Sequence, residues 1–159
     1  MFQLYLPASE NGLPEVADIK ENPLAGSGRI LVMDDEDIIR DVASEILGHL
    51  GYSAVACCDG SEAFELYSQA IATKEPFAAV IMDLTIPGGI GGKEAAARIL
   101  EIDPDAVLIV SSGYSSDPVI ANFQQYGFSG VVSKPFDTEV LAMELKRLIP
   151  DNKSMGSYN

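Results

Sequence analysis

The sequence contains no tryptophan, a single histidine and two cysteines among its 159 residues. Cys57 and Cys58 are adjacent, a spacing that suits neither a disulfide framework nor a metal-binding motif, so we interpret both as packed, reduced thiols. No apolar run approaches the roughly 18 residues of a membrane-spanning helix. The N-terminus also lacks the basic segment and cleavage motif of an export signal. These absences lead us to expect a cytoplasmic chain without membrane insertion.

Basic residues are scarce, with 10 Lys and Arg against 24 Asp and Glu and a formal net charge of -14. A nucleic-acid-binding surface needs cations that replace the counterions around phosphates, so direct binding to nucleic acid is not expected. The same argument opposes binding to anionic membrane surfaces. The hydrophobic content of 47% suffices for a core, and the length favours one domain with short flanks.

From Gly28 onward, short apolar runs alternate with segments of helical periodicity. Five runs are almost continuously apolar, as expected of strands buried on both faces, and they cover residues 30–33, 54–57, 78–82, 107–110 and 128–132. Asp117-Pro118 predicts the beginning of the fourth helix and Gly127 its end, and Asp137 is the expected cap of the fifth. The alternation predicts an α/β fold, a doubly wound parallel sheet of five strands with helices on both faces.

Polar residues follow four of the predicted strands, at the sheet edge where parallel α/β folds gather their functional groups. They are Asp34 and Asp35, Asp83, Ser111 and Lys134. Two carboxylates about 4 Å apart repel by roughly 4 kcal/mol at an effective dielectric near 20, so three of them need a counter-charge. A hard divalent ion with oxygen ligands, such as Mg²⁺, would supply it.

The remaining two groups at this edge suit a phosphoryl group. The ammonium of Lys134 is a compact charge for a phosphoryl oxygen, and the hydroxyl of Ser111 can donate a hydrogen bond to another. A carboxylate that stays free to attack is a nucleophile, so the set is typical of phosphoryl transfer to a carboxylate. Taken singly, each residue could instead be a helix cap, a turn residue or a surface lysine. Their joint position at the ends of successive strands favours the chemical interpretation.

The combined pattern over residues 28–150 resembles the receiver domain of response regulators. It comprises Asp34-Asp35, Asp83-x-x-x-Pro87, Ser111 and Lys134-Pro135-Phe136. The resemblance implies a flavodoxin-like sheet of order 2-1-3-4-5. It also implies that Asp83 accepts a phosphoryl group from phosphohistidine and loses it slowly, while Ser111 and Lys134 hold the phosphoryl oxygens. Mg²⁺ or Mn²⁺ would be bound by Asp34, Asp35, Asp83 and the backbone carbonyl of Thr85. A cis Lys134–Pro135 bond is usual in this family.

Three features depart from the family pattern. The loop at residues 88–92 is one residue longer than the usual form. Val131 occupies the position at which many receivers carry a switch aromatic, and Gly113 stands where many have a larger side chain. The conformation of the loop and the coupling through an aromatic ring are therefore open for this chain, and water could reach the site more easily beside Gly113.

The flanks indicate a context for this domain. Residues 1–9 resemble the last strand of the ATP-binding domain of a sensor histidine kinase, residues 10–27 read as a linker, and residues 151–159 as a polar tail. This is the layout of a hybrid histidine kinase with a C-terminal receiver, and it leaves open a membrane anchor elsewhere in the parent kinase. His49 is interpreted as a surface residue. The expected phosphodonor is thus a phosphohistidine domain of the kinase, and a histidine phosphotransfer protein is a possible next carrier.

Other functions fit the sequence less well. Phosphatases of the haloacid dehalogenase type carry an Asp-x-Asp nucleophile motif after the first strand, which Asp34-Asp35 does not match, and dinucleotide binding would need a glycine-rich motif there. A receiver-like scaffold that is never phosphorylated remains open, although such scaffolds usually lack one or more site residues. The expectation is a phosphoryl acceptor that promotes its own phosphorylation and is no stand-alone turnover enzyme.

Overall fold

The computed structural model describes residues 28–113 and 116–149; the predicted flanks 1–9, 10–27 and 151–159 lie outside them. The described part contains five strands that alternate with helices. The strands are β1 (Arg29–Met33), β2 (Ser53–Cys57), β3 (Ala79–Asp83), β4 (Leu108–Ser112) and β5 (Gly130–Ser133). The helices are α1 (Asp37–His49), α2 (Gly60–Ala72), α3 (Gly92–Ile102), α4 (Pro118–Ala121) and α5 (Thr138–Leu148).

All five strands are parallel and form one sheet of order β2-β1-β3-β4-β5. The doubly wound parallel sheet predicted from the sequence and the strand order implied by the resemblance are therefore both confirmed. The chain crosses from β2 over β1 to β3, so the connections that follow β1 and β3 leave the sheet toward opposite faces. In sheets of this kind a crevice forms at the carboxyl ends of the strands where the order reverses, here between β1 and β3.

The strands bury side chains on both faces, because successive residues of a strand point to opposite sides. Leu31, Val80 and Leu108 belong to one core, which includes buried residues of α2 and α3. Ile30, Ile81 and Ile109 belong to the other core, which includes buried residues of α1 and α5. This two-sided burial explains why the strands read as almost continuous apolar runs.

The fourth helix is shorter than the sequence predicts. Asp117 caps it as expected, since its carboxylate accepts a hydrogen bond from the N–H of Val119 at 2.8 Å. The α-helix ends at Ala121, however, because Asn122 leaves the helical region; its N–H and its side chain both donate to the carbonyl of Pro118. A separate 3₁₀ turn, Phe123–Tyr126, continues to Gly127, which ends it with a positive φ of 89°. Asp137 caps α5 as predicted, through the N–H of Val140.

The two cysteines differ in environment. Cys57 is buried at the end of β2, as expected of a packed thiol, whereas Cys58 is exposed and the prediction that it packs is wrong. The strand ends at Cys57, so the next side chain lies in the connection to α2 rather than in the core. Within residues 28–113 and 116–149, no helix is long and apolar enough to cross a membrane.

Candidate functional site

The carboxyl ends of β1, β3, β4 and β5 bring the predicted site residues to one edge of the sheet. Asp83 is the last residue of β3, and it lies opposite Ser111 of β4 in the parallel register. Asp34 directly follows β1, and Lys134 directly follows β5. Ser111 is 1% exposed and Asp83 is 9% exposed. The sheet topology therefore places these polar groups at the end of a buried apolar layer.

Three carboxylates meet at this edge. Oxygen atoms of Asp34, Asp35 and Asp83 all lie within 4.8 Å of one another. Asp34 is buried, with 1% of its surface exposed, whereas Asp35 is exposed. Because so many anionic oxygens are close together, the cluster is electrostatically unfavourable without positive charge.

Asp34 is held by contacts on both sides of its Cα. Its N–H donates to the carbonyl of Cys57 at 3.1 Å, and its Oδ1 accepts a hydrogen bond from the N–H of Glu36 at 2.9 Å. Its carbonyl accepts a hydrogen bond from Nη1 of Arg40 at 2.6 Å. These contacts fix the turn that leads from β1 into α1.

Lys134 supplies the positive charge of the site. Its Nζ lies 2.6 Å from Oδ2 of Asp34 and 3.2 Å from Oδ2 of Asp83. Burial disfavours the ammonium form, but the two carboxylates outweigh that effect and raise the pKa of Lys134 above its ordinary value. The lysine therefore stays charged at neutral pH. The Lys134–Pro135 peptide bond is cis, as the family resemblance implied.

Asp83 has a perturbed carboxyl group. Burial is the main cause that raises its pKa, and the negative charge of Asp34 adds to it. The ammonium of Lys134 and a hydrogen bond from the backbone of Thr85 act in the opposite direction. The result is a partly desolvated carboxylate beside a cation, an environment in which a carboxylate oxygen is less stabilised by water and more reactive as a nucleophile.

The donor set fits a hard divalent cation. Its ligands would be oxygens, which Mg²⁺ prefers, and they come from carboxylates that repel one another. Oδ2 of Asp34 is buried, and Nζ of Lys134 lies 2.6 Å from it. This single ammonium faces three carboxylates, so a nearby divalent charge would relieve the repulsion that remains.

A cavity of about 400 Å³ opens above Asp83. Its lining includes Thr85, Gly113, Asp117 and Lys134. Gly113 contributes no side chain to this wall and is exposed, so the departure noted in the sequence leaves the cavity wider at that point. The cavity is large enough for a phosphoryl group and water molecules.

The loop after Asp83 closes through a tight turn. Gly89 donates its N–H to the carbonyl of Ile86 at 3.1 Å, and Gly88 has a positive φ of 75°. Pro87 followed by a glycine with positive φ is typical of a type II turn. The N–H of Gly60, at the beginning of α2, donates to the carbonyl of Ile90 at 2.7 Å and anchors the rest of the loop.

Sequence reasoning placed the five predicted side chains correctly at one edge, but it missed Arg40. This residue lies on the first turn of α1, six residues after Asp34, and it contacts that aspartate through the backbone. The sequence contains one relevant signal, the i,i+3 spacing of Asp37 and Arg40, and these residues form an ion pair in the structure. Such i,i+3 pairs are usually surface features, so the pattern alone does not indicate a role at the site.

Comparisons with known proteins agree with this geometry. The sequence profile of the response regulator receiver domain matches residues 30–146. Among curated relatives, the chain is 29% identical to sporulation initiation phosphotransferase F of Bacillus subtilis over 122 residues, which are 77% of this chain and 94% of the relative. It is 27% identical to sensor kinase CckA of Brucella abortus over 130 residues, which are 82% of this chain and only 13% of that kinase.

A solved structure shows the same architecture with a ligand. The response regulator TrrA of Thermotoga maritima, crystallised in complex with Mg²⁺ and BeF, is 30% identical to this chain with a TM-score of 0.65. The match covers 77% of this chain and 99% of that one.

Proposed function

Since the chain belongs to the response regulator receiver domain family and thus to the phosphoryl-accepting modules of two-component signalling, we propose that Asp83 is the residue that takes the phosphoryl group. The observation that carries this assignment is the position of Asp83 at the end of the central strand. Its carboxylate lies beside Lys134 and beneath an open cavity.

The transfer is a substitution at phosphorus. A carboxylate oxygen of Asp83 attacks the phosphorus of a phosphohistidine, and a P–O bond forms while the P–N bond breaks. The electron pair of the broken bond remains on the imidazole nitrogen, which then takes up a proton. Lys134 and Ser111 would hold two phosphoryl oxygens, because the ammonium of Lys134 lies 3.2 Å from Asp83 and Ser111 lies opposite Asp83 on the neighbouring strand.

Mg²⁺ or Mn²⁺ is the proposed cofactor, held by Asp34, Asp35, Asp83 and the backbone carbonyl of Thr85. The bound ion would supply positive charge that neutralises phosphoryl oxygens. The mutual proximity of the three carboxylates and the burial of Asp34 support this ligand set. Lys134 alone carries one positive charge against three carboxylates.

We place this receiver in a hybrid histidine kinase, with the phosphohistidine domain of the kinase as donor and a histidine phosphotransfer protein as a possible acceptor. The resemblance of residues 1–9 to the end of a kinase ATP-binding domain supports this layout. The match to 13% of sensor kinase CckA also supports it, because a receiver forms only a part of such a kinase. The match to sporulation initiation phosphotransferase F instead covers 94% of that relative. A reading frame that continues upstream of Met1 through an ATP-binding domain is expected; an in-frame stop codon there would contradict the proposal.

The acceptor assignment is tested by intact mass spectrometry after incubation with acetyl phosphate and Mg²⁺. We expect the wild type to gain one phosphoryl group and Asp83→Asn to gain none. Asp105→Asn, which alters an exposed acid outside the site, is the matched control and should behave as the wild type. Labelling that persists in Asp83→Asn would refute the assignment, and an unlabelled wild type would favour a scaffold that is never phosphorylated.

The class of donor is tested with two small phosphate compounds. Phosphoramidate contains a P–N bond like that of phosphohistidine, whereas phosphoserine is a phosphate ester. We expect phosphoramidate to label Asp83 and phosphoserine to leave it unlabelled. Continuous release of inorganic phosphate from the ester would instead indicate a phosphatase of the haloacid dehalogenase type.

A further inference from the structure

Arg40 approaches the acidic cluster from α1 without joining it. Its Nη1 donates to the backbone carbonyl of Asp34 at 2.6 Å, and its Nη2 forms an ion pair with the carboxylate of Asp37. The Arg40 side chain is only 20% exposed, whereas that of Asp37 is 83% exposed. The guanidinium thus connects the exposed surface of α1 to the turn that carries two of the three clustered carboxylates.

This contact acts on a backbone that is already constrained on its other side. The N–H of Asp34 is bound to the carbonyl of Cys57, which fixes the preceding peptide. Because a peptide unit is planar, holding the carbonyl of Asp34 also fixes the N–H and the Cα of Asp35. The exposed carboxylate of Asp35 then reaches the cluster through its own side-chain torsions alone.

We propose that Arg40 is a positioning residue for the divalent-cation site, and that it orients the Asp34–Asp35 peptide so that the Asp35 carboxylate faces Asp83. This inference rests on the proposed function, because it assumes that the cluster binds a divalent ion. Arg40 acts through the backbone and does not touch the ion. The contact is charge-assisted, and such hydrogen bonds are stronger than neutral ones.

The charge of Arg40 by itself would oppose cation binding. A second positive group near a Mg²⁺ site repels the ion, but Asp37 neutralises the guanidinium at the surface. Substitutions of Arg40 can therefore separate the effect of its geometry on Mg²⁺ binding from the effect of its charge. Lysine keeps the positive charge, yet its ammonium lacks the planar fork that donates to the carbonyl and to Asp37 together.

Mg²⁺ affinity, measured by isothermal titration calorimetry on the metal-free protein, tests the proposal. Calorimetry is suitable because the chain contains no tryptophan as an intrinsic reporter. We expect Arg40→Lys and Arg40→Met each to weaken Mg²⁺ binding by about threefold to tenfold, the range expected when a charge-assisted contact that orients a ligand is lost. If Arg40 acted only by its charge, Arg40→Met would bind Mg²⁺ more tightly and Arg40→Lys would bind it as the wild type does.

Arg98→Lys is the matched control. Arg98 also lies on a helix and pairs with an acid one turn earlier, Glu94, at 2.8 Å, but it lies away from the acidic cluster. The Arg98→Lys protein should bind Mg²⁺ as the wild type does. Thermal melts in EDTA give the melting temperature of each variant. The titrations are made well below that temperature, so that a loss of Mg²⁺ affinity reports a change at the site rather than unfolding.

The outcomes separate this inference from the function on which it rests. Wild-type affinity in Arg40→Lys, or an equal loss in Arg98→Lys, would overturn the role of Arg40 and leave the metal site intact. A wild-type protein that does not bind Mg²⁺ would overturn the proposed metal site together with this inference. Weaker binding in both Arg40 variants with an unchanged Arg98→Lys protein supports it.

Discussion

Nζ of Lys134 lies 2.6 Å from Oδ2 of Asp34, an oxygen that is buried at the carboxyl end of the sheet. The same nitrogen lies 3.2 Å from Asp83. Lys134 is therefore the counter-charge of two carboxylates at once, and it partly compensates their repulsion without a metal ion. Because the side chains involved are at most 13% exposed, solvent screens these interactions weakly.

The first prediction concerns the removal of this counter-charge. Lys134→Met should lower the free energy of unfolding by about 2 kcal/mol or more in EDTA, because buried carboxylates lose their partner. The loss should be smaller in Mg²⁺, since the ion supplies positive charge to the native state only. Urea denaturation with and without Mg²⁺ measures both values. Lys146→Met, on the exposed side of α5, is the control, and equal losses in the two buffers would contradict this account.

The second prediction concerns Mg²⁺ and stability. A ligand that binds the native state stabilises it by mass action, so the melting temperature of the wild type should rise with Mg²⁺ concentration. Asp35→Asn removes one proposed ligand and should show a much smaller rise. In EDTA the same variant should be no less stable than the wild type, because one source of carboxylate repulsion is gone. Melting curves that shift equally in both proteins would argue against this site.

The third prediction separates the two neighbouring thiols. Burial, with a smaller contribution from Glu62, raises the pKa of Cys57 to about 12; the charge of Glu62 also raises the pKa of Cys58, but that thiol is exposed to reagents. A higher pKa leaves less thiolate at a given pH, and the thiolate is the reactive form. Iodoacetamide at mildly alkaline pH should therefore modify one thiol in the native protein and two in urea. Cys58→Ser should remove the native reaction, and rapid modification of Cys57 in that variant would show that β2 opens at its end.

The apolar pattern predicted the strands well, for a physical reason, whereas their order was implied by the family resemblance. Strands covered on both faces must be apolar at nearly every position, and a parallel sheet places all their carboxyl ends at one edge. Asp34 is buried directly after β1, whereas Asp35 lies in the bend that follows and is exposed, a difference that the adjacent letters do not reveal.

Other features depend on contacts that a local pattern does not contain. The early end of α4 coincides with the change of backbone conformation at Asn122, whose side chain joins its own N–H in donating to the carbonyl of Pro118. The contact of Arg40 with the backbone of Asp34 joins a helix to a turn, and the ion pair with Asp37 hides it within an ordinary surface pattern. Both features involve side chains that bind backbone groups, which hydrophobic periodicity does not encode.

The fourth prediction concerns the outer edge of the sheet. Oε2 of Glu144 on α5 accepts a hydrogen bond from the N–H of Val131 at 3.4 Å, and Glu144 also pairs with Arg147. The absence of a side chain at Gly130 permits this, since a Cβ there would lie 2.5 Å from that oxygen. Glu144 thus covers part of the edge strand β5, the kind of edge that proteins protect from pairing with other chains.

The pKa of Glu144 is lowered, chiefly by its hydrogen bond with Arg147. A carboxyl group with a lowered folded-state pKa contributes stability above its unfolded pKa, near 4.3, and loses it as the pH falls through the folded value. Glu144→Gln should therefore destabilise the protein at pH 7 by about 1 kcal/mol or less, with a shallower loss of stability on acidification. Urea denaturation at pH 7 and at a pH below the unfolded pKa of the group measures both effects. Glu94→Gln is the control: it alters an exposed ion pair and should change neither the stability at pH 7 nor the loss of stability on acidification. If Glu144→Gln and the wild type lost equal stability on acidification, the proposed role of Glu144 would be contradicted.

The fifth prediction concerns how phosphorylation changes the domain. Valine has a stiff first torsion and carries no ring to move between buried and exposed positions, so Val131 cannot act as an aromatic switch. Its N–H is also bound to Glu144, which restrains β5 further. We expect the response to centre on Ser111 and the following residues to 116, of which 114 and 115 lie outside the described part.

Amide chemical shifts with and without beryllofluoride and Mg²⁺, which imitate the phosphoryl group, measure this response. Large changes should be confined to residues 111–116 and the turn after Asp83, because Ser111 lies opposite Asp83 in the register and we expect its hydroxyl to move toward the new charge. Val131→Ala should leave that pattern unchanged, since a smaller side chain removes nothing that switches. Changes at Val131 and along α5 as large as those at Ser111 would show that this strand transmits the signal without a ring, and the prediction would then be wrong.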